Sequence, residues 1–181
     1  KAIVFDARGV ALAEGRAPLT TLMPRASWHE QDANAWWTAL CTAVRQAVSS
    51  IDPVRLAAVA IAHQRESFVL VDADGVPIGN AILWMDERAR SVLPRLALDA
   101  PPQRVQSITG KPLAANLTLS KVRWLRQHAA AQLDRASRVL DTHAFLVHRL
   151  TGRYRPRPAP GGHPANLPAL RRTAAHPAGK A

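Results

Sequence analysis

The 181-residue sequence is poor in several residue types, and each shortage excludes something. A single cysteine forms no intrachain disulfide and fits a reducing compartment such as the cytoplasm. That residue, Cys41, falls among apolar neighbours on a helical pattern, which reads as core packing rather than a nucleophile. No apolar run reaches the roughly 18 residues of a membrane-crossing helix. No charged-then-apolar leader opens the chain, so neither membrane nor export is expected. The seven histidines show no metal-ligand spacing: His143 and His148 lie five apart, where a helical ligand pair needs four. No glycine-rich turn opens a helix as a phosphate cradle requires; "APGGHP" stands in a proline-rich stretch instead. No metal site is therefore expected.

Acids are also scarce, with 13 against 24 lysines and arginines, for a net charge of +11. Their distribution argues against a nucleic-acid stripe. Residues 155–181 carry Arg155, Arg157, Arg171, Arg172 and Lys180 and no acid. Taking those five from +11 leaves +6 for residues 1–154, where basic residues are scattered among acids without interleaved aromatics. The last segment also holds six of the fourteen prolines and few large apolar residues. It cannot offset its ordering entropy, so it reads as a disordered tail behind a boundary near Tyr154.

What remains is a body with enough apolar residues for one core, patterned as α/β. "KAIVFDARGVALAEG" and "SFVLVDADGVPIG" each place Asp-x-x-Gly between apolar runs, the mark of a hairpin whose glycine takes positive φ. Asp32 is an N-cap for a helix carrying Trp36, Trp37, Leu40, Cys41, Val44 and Val48 at helical spacing. Asp52-Pro53 reads as a second cap with proline at the first helical position. "LAAVAIAH" (56–63) is wholly apolar until its end and predicts a strand buried on both faces. "SKVRWLRQHAAAQLDRAS" predicts one helix, and Asp141 caps another that Gly152 ends. A mixed sheet with helices packed on it follows.

Two apolar runs end abruptly in polar residues: Ile61-Ala62-His63 runs into Gln64-Arg65-Glu66, and Ala81-Ile82-Leu83-Trp84 into Met85-Asp86-Glu87-Arg88. Open α/β sheets bind ligands beyond the carboxyl ends of their strands. Glutamate accepts hydrogen bonds from hydroxyls, arginine donates several in a fixed fork, and glutamine does both. Side by side, Gln64, Arg65 and Glu66 suit a hydroxyl-rich ligand, with Trp84 as an apolar face for its carbon skeleton. A surface ion pair between Arg65 and Glu66 is the plainer reading. Asp86 and Arg88 read equally as ligand contacts or as a capping, ion-paired turn.

Six segments in order resemble the N-terminal domain of the FGGY carbohydrate kinases, the family of xylulokinase, glycerol kinase and gluconokinase. They are "KAIVFDARGVALAE", "WHEQDANAWW" with Ala33 where proline is usual, "IAHQRES", "NAILWMDERA", "ITGKPLAANLTLSKVRWLRQH" and "VLDTHAFLVHRLTG". The resemblance covers residues 1 to about 154. It implies a ribonuclease H-like fold of the actin and sugar-kinase type, with ATP and Mg²⁺ as cofactors of the complete enzyme and none bound by this chain alone. It begins after the family's opening strand and glycine-rich phosphate turn, so the sheet is expected to lack its first strand. The catalytic aspartate belongs to a second domain, so this chain has no catalytic residue of its own and is expected to be inactive alone. The substrate-binding residues it implies are Gln64, Arg65, Glu66, Trp84 and Asp86, with Asn116 where the glycerol kinase branch has a tyrosine. The expected partner is a sugar or polyol, without a membrane or specific nucleic acid. An exposed sheet edge implies possible self-association. A non-enzymatic remnant binding nucleic acid through the basic tail is the alternative.

Overall fold

The computed structural model describes residues 1–154; the tail read from composition at 155–181 lies outside them. The chain opens with a hairpin of β1 (Ala2–Phe5) and β2 (Ala11–Gly15), paired antiparallel. β3 (Glu30–Gln31) leads into α1 (Ala33–Ala47), and β4 (Phe68–Val71) and β5 (Ala81–Ile82) form a second hairpin. The helices α2 (Leu93–Asp99), α3 (Pro102–Thr109), α4 (Thr118–His128) and α5 (Ala130–Arg135) follow. β6 (Arg138–Asp141) and α6 (Thr142–Thr151) complete the body. The central sheet runs β3-β5-β4-β6, and β1-β2 forms a separate two-stranded sheet.

The two Asp-x-x-Gly turns fold alike. Asp6 Oδ1 accepts from the amides of Arg8 and Val10, and Asp72 Oδ1 from those of Asp74 and Val76. Gly9 and Gly75 both sit at φ +82°, a conformation that residues with a Cβ rarely adopt. At α1, Asp32 Oδ1 caps the amide of Asn34 at 2.8 Å. Asp141 and Gly152 bound α6 as the sequence implies, with Gly152 left-handed at φ +67°.

β4 is the strand that divides the core. Its four residues are all buried. Phe68 and Leu70 join Ile82, Val122, Leu125 and Leu133 on the α4–α5 side. Val69 and Val71 join Trp36, Leu83, Phe145 and Leu146 on the α1–α6 side. Two helical layers therefore enclose the sheet, the arrangement that buries both faces of such a strand.

Two expectations fail. The strand predicted at 56–63 does not form: these residues belong to no ladder, and Leu56–Ala60 are exposed despite their apolar side chains. A strand exists only where neighbouring backbone shares its hydrogen bonds, and neither β1 nor β4 pairs with this run. Every pairing among the described strands is consequently antiparallel. The single helix predicted over 120–137 divides at Ala129, which ends α4 and starts α5 at φ −146°.

The β1–β2 hairpin lies against α1 through Gly15. A Cβ placed there would stand 2.0 Å from the Ala43 carbonyl oxygen and 2.8 Å from the Ala47 amide nitrogen, both backbone atoms of a rigid helix. Gly15→Ala is therefore expected to cost about 1–3 kcal/mol, through displacement of the hairpin. An unchanged urea midpoint in this variant would show that the hairpin is not seated on α1.

Candidate ligand-binding site

The two polar turns singled out in the sequence meet because β4 and β5 run antiparallel. Phe68, at the start of β4, pairs with Ile82, at the end of β5. Gln64–Glu66 therefore precede a strand rather than following one, which corrects the expected placement, and they lie beside Leu83-Trp84 all the same. Ser67, fully buried, joins the two turns. Its hydroxyl accepts from the Trp84 amide at 2.9 Å and donates to Gln64 Oε1 at 3.1 Å.

Glu66 is held at both ends by α4 and the loop before it. Its Oε2 accepts from the Thr118 amide at 2.7 Å and the Thr118 hydroxyl at 2.8 Å, and Lys111 Nζ binds its Oε1. The carboxylate thereby supplies the N-terminal cap that Leu117, the N-cap residue of α4, lacks. Burial pushes the Glu66 carboxyl up, but the bonds from Lys111 and Thr118 outweigh it and hold it below the usual range. Its main chain is left-handed at φ +61°, strained for a residue with a side chain.

Lys121 is fully buried one turn into α4. Its Nζ donates to the Glu66 carbonyl at 3.0 Å and to the Leu83 carbonyl at 2.7 Å. Burial, opposed by the charges of Asp86 and Glu66 and aided by that of Arg88, lowers its pKa from 10.5 to about 8.

Asp86 is enclosed. Its Oδ1 accepts from the Arg88 amide and Nε, and its Oδ2 from the His29 amide at 2.7 Å and Arg88 Nη2 at 2.8 Å. Arg88 continues to Glu30 Oε1 at 2.7 Å and lies 4.0 Å over the Trp28 ring. With no exposed surface and four accepted bonds, Asp86 braces the turn rather than meeting a ligand. The sequence left that choice open, and burial favours the ion-paired turn.

The remaining residues face outward. Arg65 is exposed and has no ion-pair partner among the described residues. Trp84 is 44% exposed and shares a pocket of about 550 Å³ with Met85, Arg90 and the loop of Leu113–Asn116. Asn116 lines the same pocket as Trp84. Gln64 is exposed, with its amide oxygen taken by Ser67. Ser67, Lys111, Thr118 and Lys121 escaped the sequence reading. For Lys121 a signal existed: it stands midway between Leu117 and Leu125 on the buried helical face, where a lysine needs buried acceptors.

This arrangement can offer hydroxyl-bonding groups beside an aromatic face. The oxygens of Asp86 are taken by protein donors, and Gly9 and Gly75 turn hairpins.

The profile of the FGGY family of carbohydrate kinases, N-terminal domain, matches residues 1–156, from the first hairpin through both polar turns to the end of α6. The chain belongs to that family. A glycerol kinase of Methylorubrum extorquens (strain PA1) is 35% identical over 157 residues, which are 83% of this chain and 31% of that protein. A glycerol kinase of Ligilactobacillus salivarius is 30% identical over 161 residues. Among solved structures, a xyloylose kinase from Brucella ovis superposes with a TM-score of 0.74 at 25% identity, over 84% of this chain and 31% of that one. A gluconate kinase from Lactobacillus acidophilus does so with a TM-score of 0.78 at 21% identity, over the same shares of each chain. The chain spans about a third of the length of the FGGY kinases it matches. Their likeness gives it the fold of the actin-like sugar-kinase ATPases.

Two outcomes follow from the buried charges. Asp86→Ala strands Arg88 against Glu30 alone, and a loss of about 3–5 kcal/mol is expected in urea unfolding; a loss under about 1 kcal/mol would mean that water reaches Arg88. Lys121 titrates near 8 when folded against an ordinary 10.5, so between these values the unfolded chain binds more protons. Stability should therefore rise with pH from about 8 to 10.5 and stay level, on this account, below that window. Lys121→Met should flatten the rise; an equal rise in wild type and variant would assign it to other groups.

Proposed function

We propose that this chain forms the sugar- or polyol-binding wall of an ATP-dependent carbohydrate kinase, a cytoplasmic phosphotransferase acting on an alcohol group. The observation that carries the proposal is the pairing of two polar strand ends. They join the turn of exposed Arg65 to that of half-exposed Trp84, and the loop before α4 brings exposed Asn116 to the same pocket as Trp84. In that role Trp84 covers the ligand's carbon skeleton, Arg65 donates to its hydroxyls, and Asn116 offers an amide that can donate or accept. Glu66 sets the shape of the wall, and a hydroxyl reaching it would compete with Lys111 for Oε1. The match to glycerol kinases by sequence and to xyloylose and gluconate kinases by structure supports a polyhydroxylated ligand.

Phosphoryl transfer needs phosphate donors, a metal and a base aligned with the attacking hydroxyl. In this reading the described residues supply the hydroxyl side. In this proposal ATP, Mg²⁺ and the catalytic base are provided outside residues 1–154, and the isolated chain does not turn over.

Proton–nitrogen correlation spectra of the 181-residue chain, taken with glycerol, xylitol, xylulose and gluconate, test the reading. At least one ligand is expected to shift the signals of Arg65, the Trp84 indole and Asn116. Arg65→Ala should weaken that binding about tenfold, the worth of one charge-assisted hydrogen bond. The shifts should be insensitive to salt for the uncharged ligands. Shifts confined to other surfaces would overturn the assignment. Binding to arbitrary DNA that falls steeply with salt would instead favour the nucleic-acid reading suggested by the +11 charge. ADP release by the isolated chain would show that a phosphate site lies within it.

A further inference from the structure

We infer that Lys121 is a positioning residue: from inside α4 it holds the main chain of both polar turns in one arrangement and maintains the left-handed backbone of Glu66. The inference rests on the ligand reading proposed above and names the residue that builds that wall without touching a ligand.

Buried lysines need a reason, because an ammonium in the interior loses its hydration. No carboxylate within hydrogen-bonding reach supplies one here. The Lys121 Nζ instead meets two main-chain carbonyls, those of Glu66 and Leu83, at 3.0 and 2.7 Å. These residues are immediate predecessors of Ser67 and Trp84, which are themselves joined by the Ser67 hydroxyl. The ammonium and the hydroxyl thus make two successive cross-links between the same two turns. The first acts on carbonyl oxygens and the second on an amide.

Glu66 shows what this does locally. α4 grips its carboxylate through Thr118 and its carbonyl through Lys121. Two fixed points on one helix leave the residue between them little freedom, and the backbone takes φ +61°. Such a conformation costs of order 1–3 kcal/mol and persists where the surroundings over-determine it. Arg65, next to Glu66 in the same turn, is exposed. The charged groups facing Lys121 are Asp86 and Glu66, which favour its ammonium, and Arg88, which opposes it; Lys111 stands on the far side of the Glu66 carboxylate.

The test uses the 181-residue chain labelled with ¹³C and ¹⁵N, and the wild type alone decides the first part. As pH rises from about 6 to 10, the Lys121 side-chain signals should titrate below those of the other lysines. The carbonyl carbons of Glu66 and Leu83 and the Trp84 amide should move with the same midpoint, while the carbonyls of the hairpin turns do not. Carbonyls that stay still while Lys121 titrates would overturn the inference, as would a Lys121 that titrates with the surface lysines. The second part uses Lys121→Met. The strong intraresidue amide–Hα cross-peak of a left-handed residue should disappear at Glu66 while the signals of Phe68 and Val122 remain in place. Its persistence would show that Thr118 alone sets the backbone. The third part asks what a purely structural lysine would not change. The ligand-induced shifts at Arg65 and Trp84 should require about tenfold more ligand in Lys121→Met. Equal affinity in both proteins would overturn the positioning role. Absence of ligand shifts in the wild type, with the carbonyl titration intact, would overturn the ligand reading itself and leave Lys121 as a staple of the fold. Should Lys121→Met fail to fold, the wild-type titration still decides whether the lysine governs both turns.

Discussion

The guanidinium of Arg88 is the constraint around which this domain is arranged. It is enclosed by Asp86 and Glu30 and lies 4.0 Å over the ring of Trp28 and 5.3 Å from that of Trp124. These partners come from β3 and the loop before it, the turn after β5 and the middle of α4. Remove the cation and three separate stretches of chain lose their common point. Burying the group carries a large desolvation cost, and the compensation lies in completeness: Asp86 accepts four hydrogen bonds, and the aromatic faces replace part of the lost water. The motif "WHEQD" is thereby explained residue by residue at its start. Trp28 covers the cation, the His29 amide binds Asp86, Glu30 pairs with Arg88, and Gln31 accepts from the Trp36 indole at 2.8 Å.

A second group of buried polar side chains governs the neighbouring turns by a different means. Ser67 and Lys121 are both fully buried, and both bond main-chain atoms across the turns, Ser67 also donating to the Gln64 side chain. Main-chain contacts fix geometry without depending on which side chains the turns present. Arg65, Trp84 and Asn116 can therefore vary at the surface over a frame that does not.

Much of this was legible in the sequence where the cause is local. The two Asp-x-x-Gly turns, the Asp32 and Asp141 caps and the Gly152 stop each depend on a few adjacent residues, and each formed as read. Features that depend on distant partners were not legible. The run at 56–63 has a strand's composition but finds no ladder. Arg65 and Glu66, neighbours in sequence, looked like a pair, yet Glu66 is taken by Lys111 and Thr118 some fifty residues on. For Asp86 the choice between ligand contact and ion-paired turn stayed open in the sequence, because its partners include His29, which bonds it directly, and Glu30 and Trp28, which meet it through Arg88, all distant in the chain. No pattern in the residues themselves placed Asn116 in one pocket with Trp84.

The separate β1–β2 sheet has a consequence for how the molecule breathes. Both of its strands rest on α1, where Gly15 lies on Ala43 and Ala47 and the Arg16 amide donates to Gln46 Oε1, and a two-stranded ribbon has little stability of its own. The amides of Ile3 and Val4 should therefore exchange with solvent through a partial opening that lifts the ribbon while α1 stays folded. Those of Val69 and Val71, bonded on the central sheet and enclosed by both helical layers, exchange only when the whole body unfolds. The described residues should thus open as two units of unequal strength, the hairpin before the central sheet.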